Sequence, residues 1–135
     1  MPDPTYQDTL HAGQELRIEE INSHIKVLIA EGGLCEVFGR ELPCGEPIFF
    51  HAGEKFAIFC WQDSQITICG EHGNYKSDET PMHIYVNLQC ALNRERHIAL
   101  NQRRVGPNLL ITGSQQSGKS TLCKILVNYA LKLGW

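Results

Sequence analysis

The sequence contains no apolar run of membrane-spanning length, and Met1-Pro2-Asp3-Pro4-Thr5 has neither the basic nor the apolar region of a secretory signal. A soluble, intracellular protein is expected. No segment repeats at a fixed period and none is of low complexity, so a solenoid is not in question. Without a secretory signal, the six cysteines (Cys35, Cys44, Cys60, Cys69, Cys90, Cys123) read as reduced, partly buried thiols. Cys69-Gly70-Glu71-His72 is the nearest approach to a metal pattern; no second ligand pair stands close by, so no metal is assigned to it. Negative charge is scarce in residues 81–135, where Glu95 faces seven Lys and Arg, whereas residues 1–80 carry fourteen Asp and Glu against five. The total of −3 hides this polarity. A basic second half suits a phosphate-rich ligand or is a solvated surface of uneven sign, and an acidic first half argues against a nucleic-acid platform there.

What is present is a motif. Gly113-Ser114-Gln115-Gln116-Ser117-Gly118-Lys119-Ser120 fits G-x-x-x-x-G-K-[ST], the P-loop that wraps nucleoside triphosphate phosphates. Backbone N–H groups must turn inward around an anion, which asks for the φ freedom of Gly113 and Gly118. Lys119 would reach the β- and γ-phosphates as the catalytic cation, and Ser120 would hold Mg²⁺ through its hydroxyl. The apolar run Asn108–Thr112 reads as the strand feeding the loop. Leu122, Ile125, Leu126, Tyr129, Ala130 and Leu133 recur at helical spacing after it, ending at Gly134. The loop begins so near Trp135 that most of an NTPase domain would be missing, and a truncated chain is expected.

From Glu15 to about Ser77 the sequence reads as short strands: Leu16–Glu19, Ile25–Ala30, Leu34–Phe38, Ile48–His51, Phe56–Trp61, Gln65–Cys69 and Asn74–Ser77. They are rich in Ile, Val and Phe and are separated by Gly, Pro and Asp-Ser breakers, which indicates a small β-sandwich or barrel. Trp61 and Phe49, Phe50, Phe56 and Phe59 are read as its core, and His51 and His83 as core or edge histidines. Beyond Thr80-Pro81, Met82 to Gln102 reads helical, with Leu88, Ala91, Leu92, Glu95 and Ala99 on one face. Arg94, Arg96, Arg103 and Arg104 near its second half could meet RNA; no aromatic residues interleave to stack bases, which favours a solvated linker helix. Three parts are thus expected: a β domain over 1–80, a bridging helix over 81–104, and the first strand, loop and helix of an α/β P-loop NTPase domain over 105–135.

Several short motifs in order carry a resemblance: Glu15-Leu16-Arg17, Glu36 to Leu42, Ala52 to Trp61, Glu79-Thr80-Pro81-Met82 with Tyr85, and Gly118 to Thr121 with Asn128-Tyr129-Ala130. Over these residues the chain resembles the Clp family, the polyribonucleotide 5′-hydroxyl kinase subunits of the pre-mRNA cleavage and polyadenylation machinery, also linked to tRNA splicing. The resemblance implies ATP with Mg²⁺ held between the two domains, Glu15 and Lys55 as nucleotide contacts from the β domain, and Gln116, Ser117, Gly118, Lys119, Ser120 and Thr121 as the phosphate cradle. It further implies RNA as substrate of the full-length protein, partner subunits of the cleavage complex and the tRNA splicing endonuclease, a nuclear location, and no membrane. The chain departs from the family's usual loop at Ser114 to Ser117, and carries Cys60 where Thr is usual. An RNA 5′-hydroxyl kinase, an assembly subunit in which ATP is structural, and a generic P-loop ATPase or GTPase all remain open, and the chain alone is not expected to turn over ATP.

Overall fold

The computed structural model describes residues 2–135, in two compact units, one ending at Thr80 and the other comprising Pro81–Trp135. The first is a sandwich of two antiparallel sheets built from β1 (Thr5–Leu10), β2 (Glu15–Glu19), β3 (His24–Ile29), β4 (Leu34–Val37), β5 (Arg40–Glu41), β6 (Ile48–His51), β7 (Phe56–Gln62), β8 (Ser64–Cys69) and β9 (Gly73–Ser77). One sheet has the order β1-β8-β3-β6 and the other β5-β4-β7-β2-β9. Alternation decides which side chains fill the space between them. In β3, Ile25, Val27 and Ile29 are fully buried while His24 and Lys26 face water; β8 contributes Ile66 and Ile68. From the other sheet come Leu16 and Ile18 of β2, Cys35 of β4, and Phe56, Ile58 and Cys60 of β7. Each such aliphatic side chain contributes about 1.5–3 kcal/mol by leaving water. Cys35 and Cys60 oppose one another in register with their sulfurs 2.9 Å apart. The bond between them holds the Cys35 thiol below and the Cys60 thiol above the ordinary value.

All seven strands expected from the sequence are present, with ends displaced by no more than one residue, and two others join them. β1 shows little apolar patterning because it is an edge strand: Thr5, Gln7 and Thr9 face outward and only Leu10 is fully buried. β5 is a two-residue return across from β4. The aromatic set is not one core. Phe56 is buried with Phe50 stacked on it at 3.9 Å, but Phe49 is 57% exposed and Phe59 and Trp61 lie on the opposite face of β7. His51 and His83 are both exposed.

The second unit holds α1 (Met82–Asn101) and α2 (Lys119–Lys132). The run Asn108–Thr112, expected to be a strand, has no regular secondary structure, and Leu110 is 86% exposed. A strand exists through its ladder, and among the described residues of this unit no second strand is there to pair with it. The α/β sheet of an NTPase is therefore not formed. On α1 the buried positions are Met82, Gln89 and Ala99, with Tyr85, Leu92 and Arg96 half-buried, whereas Ala91 and Glu95 of the expected face are exposed. The stripe follows the i, i+3, i+4 rule but takes in polar residues, so apolar content alone misplaced it. Gln89 has no hydrogen-bond partner for either amide atom among the described residues. Trp135 closes the unit: its indole N–H donates to Asn93 at 2.6 Å and the Arg96 guanidinium lies 5.7 Å from its ring centre.

Candidate functional site

The G-x-x-x-x-G-K-S segment turns sharply before α2. Positive φ falls at Gln116 (55°) and Gly118 (87°), not at Gly113 as the motif suggested. Gly118 therefore supplies the left-handed turn into the helix, while Gly113 is small for a different reason: a β-carbon there would stand 2.7 Å from the Ser117 hydroxyl. Ser117 donates from its hydroxyl to the Ser114 carbonyl at 2.8 Å. The Lys119 ammonium folds back over the loop, donating to the carbonyls of Gly113 at 2.9 Å and of Ser114, with Ser117 Oγ at 3.4 Å.

Among the described residues no side chain caps the α2 N-terminus, and no acidic residue stands in its first turn. The partial positive charge of the helix end is thus not offset by an acid in that turn. Gln116, Ser117, Gly118, Lys119, Ser120 and Thr121 line an open concavity of ≈ 260 Å³. The uncapped α2 N-terminus, the Lys119 ammonium and the exposed Ser120 hydroxyl suit a phosphate chain with a divalent cation, so the residues present fit the phosphates of a nucleotide and Mg²⁺.

Glu15 and Lys55 belong to the first unit. Leu16 and Ile18 point into the sandwich, so Glu15, Arg17 and Glu19 form a row on the outer face of β2. Glu15 is nevertheless only 4% exposed, and its Oε1 accepts from Arg17 Nε at 2.6 Å. Arg17 also donates to the Glu79 carbonyl at 3.1 Å and lies 5.7 Å from the Tyr75 ring centre. Hydrogen bonds to Tyr75 and then to Glu15 push its guanidinium pKa further up. Lys55 just precedes β7, and the pairing of Ile18 with Phe56 sets it beside Glu19, 3.9 Å away. Its side chain is largely exposed, so that ion pair contributes little. Glu15 and Glu19, the latter with Lys55 beside it, thus mark opposite ends of the row, about 14 Å apart at about 3.4 Å per residue.

Composition did not point to Arg17 or to a second buried carboxylate on the same face, Glu36, which accepts from Trp61 Nε1 at 3.0 Å. Phe59 pairs in register with Glu15 on one side and Glu36 on the other, and packs edge-on against Trp61 at 4.7 Å. The available signal was the alternation Glu15-x-Arg17-x-Glu19, which places three charges on one strand face.

Residues 9–99 match the family model described as the N-terminal β-sandwich domain of polyadenylation factor. The human polyribonucleotide 5′-hydroxyl-kinase Clp1 is 36% identical over 132 residues, covering 97% of this chain and 31% of its own length. The chain belongs to the Clp1 family. The Clp1 homologue of Drosophila grimshawi is 42% identical over 128 residues, covering 93% of the chain and 30% of the relative. The chain therefore spans just under a third of the length of the curated relatives it matches. Among solved structures, the wild-type Clp1p–Pcf11p complex superposes with a TM-score of 0.82 at 22% identity, covering 99% of this chain and 31% of that one. A second, concerned with the extended interface between Pcf11p and Clp1p and with ATP loss in a glycine-to-arginine mutant, gives 0.83 at 22% identity, covering 98% and 31%. At that identity they show the shared fold.

Proposed function

We propose that this protein is an ATP-binding polyribonucleotide 5′-hydroxyl kinase subunit acting in the nucleus, in mRNA 3′-end processing and tRNA splicing. The observation that carries the reading is the Lys119 loop at the α2 N-terminus in a chain of the Clp1 family. Gln116 to Thr121 cradle the phosphates through backbone N–H groups, Lys119 exchanges its loop carbonyls for phosphate oxygens, and Ser120 is the metal ligand. Mg-ATP, when bound, would supply its γ-phosphoryl group to an RNA 5′-hydroxyl and leave as ADP. The chain's own contribution is to bind, orient and neutralise charge, which is where phosphoryl-transfer catalysis mostly lies. Glu15 takes the adenine amino group as acceptor, and Lys55 approaches the ribose or phosphates. Partner subunits of the cleavage and polyadenylation complex are included in this reading, supported by the structural likeness to Clp1 in complex with Pcf11p.

A second reading is an assembly subunit that holds ATP without transferring it. The structural neighbour concerned both with ATP loss and with the Pcf11p interface favours it. The two separate in one assay. Protein expressed from the full coding sequence is incubated with labelled ATP, Mg²⁺ and an RNA carrying a 5′-hydroxyl. Label on the RNA that Lys119→Ala abolishes supports the kinase; bound ATP without transfer supports the scaffold.

A further inference from the structure

We infer that Arg17 is a positioning residue that fixes the Glu15 carboxylate for adenine, and that the pair sets a preference for ATP over GTP. The inference rests on the reading that Glu15 faces the base. The geometry of the first unit carries it. A carboxylate as buried as Glu15 requires a cation and a fixed orientation, and Arg17 supplies both. The two residues stand at i and i+2 on one face of β2, and the 2.6 Å bond uses Oε1, so rotation of the carboxyl group about its last torsion is stopped.

Arg17 is itself held. Its terminal nitrogen donates to the Glu79 carbonyl at 3.1 Å, and its plane lies near the Tyr75 ring on β9, the strand paired with β2. A guanidinium tied at three points has little freedom left to lose when ligand arrives. With Oε1 engaged, Oε2 is the atom that accepts from an exocyclic amine. Adenine presents a donor at its six position; guanine presents a carbonyl there, which would set oxygen against oxygen and leave a buried acceptor unpaired. Discrimination of this kind comes from mismatch more than from added attraction.

The test uses the full-length protein and titrates Mg-ATP and Mg-GTP by calorimetry into wild type, Glu15→Gln, Arg17→Met, Arg17→Lys and the Glu15→Gln/Arg17→Met double variant, with thermal unfolding followed for each. The inference expects wild type to prefer ATP and Arg17→Met to lose about tenfold in ATP affinity with GTP little changed. Arg17→Lys, which keeps the charge without the fixed Nε donor, should recover the melting temperature more fully than the ATP preference. The double variant should be no worse than Glu15→Gln alone, as a residue acting through another requires. Equal weakening of ATP and GTP by both Arg17 variants would show a structural role only and overturn the inference. If Glu15→Gln alters the ATP-to-GTP ratio and neither Arg17 variant does, the positioning role fails while the Glu15 contact stands. If Glu15→Gln leaves the ratio unchanged, the reading of Glu15 itself fails, and the inference with it.

Discussion

Replacing Lys119 by Ala isolates the charge of the loop from its shape. In the structure the ammonium is satisfied by neutral acceptors of its own loop, the Gly113 carbonyl at 2.9 Å, the Ser114 carbonyl and more distantly Ser117 Oγ at 3.4 Å. Ligand binding exchanges these for phosphate oxygens. Each contact of the charged ammonium is charge-assisted, and bonds of this class contribute about 1.5–3 kcal/mol. A phosphate oxygen adds the attraction of opposite charges that the neutral carbonyls lack, and Ala forfeits that contact, about 1.5–3 kcal/mol, together with the long-range attraction for the triphosphate. ATP affinity should fall on the order of tenfold to a hundredfold. Folding stability should hardly change, because residues 113–118 are exposed and water can replace the lost donor at both carbonyls. Calorimetric titration with Mg-ATP alongside thermal unfolding reads both quantities. Unaltered affinity would mean that the motif is a chance match; a large loss of stability would mean that Lys119 braces the fold and the binding argument is unsound.

Asp8 accepts from Tyr6 and from Lys76, each at 2.7 Å, and these bonds, Lys76 first, hold its pKa at about 2 against 3.8. Because the folded value is the lower one, the stabilisation is complete above about pH 4 and is lost as pH falls through 2; discounted for partial exposure, it amounts to about 1 kcal/mol. The difference in urea midpoint between wild type and Asp8→Asn should shrink from pH 7 to pH 2, and a constant difference would refute the linkage. Gly70 has a φ of 117°, and a β-carbon there would meet the His24 carbonyl oxygen at 2.7 Å, so Gly70→Ala should destabilise the sandwich by at least about 1–3 kcal/mol in denaturant titration. Gln89 is 4% exposed with both amide atoms unpartnered among the described residues; Gln89→Leu should raise stability by about 1 kcal/mol, seen as an upward shift in melting temperature, and a fall would mean that the amide has a partner in solution.

How far the strands could be read depended on their surroundings. In β3 and β8 alternation against water is clean, and both the strand and its buried face were legible. In β7, Phe56 to Trp61 is apolar throughout, so the strand was evident while the division of its side chains was not: Ile58 and Cys60 entered the core and Phe59 the other face. An unbroken run has no period from which to assign a side. β1 was illegible because an edge strand with one buried end carries almost no hydrophobic signal.

The sequence by itself determined what is local: the strand-and-breaker rhythm of the sandwich, the helix after Gly118, and the G-x-x-x-x-G-K-S loop whose residue types dictate an anion-binding turn. Tertiary structure alone decided what depends on neighbours. The cross-strand register of β2 with β7 and β9 buried Glu15 and set Lys55 beside Glu19 at the other end of the strand. Packing turned Gln89 inward and Glu95 outward on α1. For Asn108–Thr112 the propensity was present and the strand did not form, since propensity orders single residues while a sheet requires hydrogen bonds from another segment.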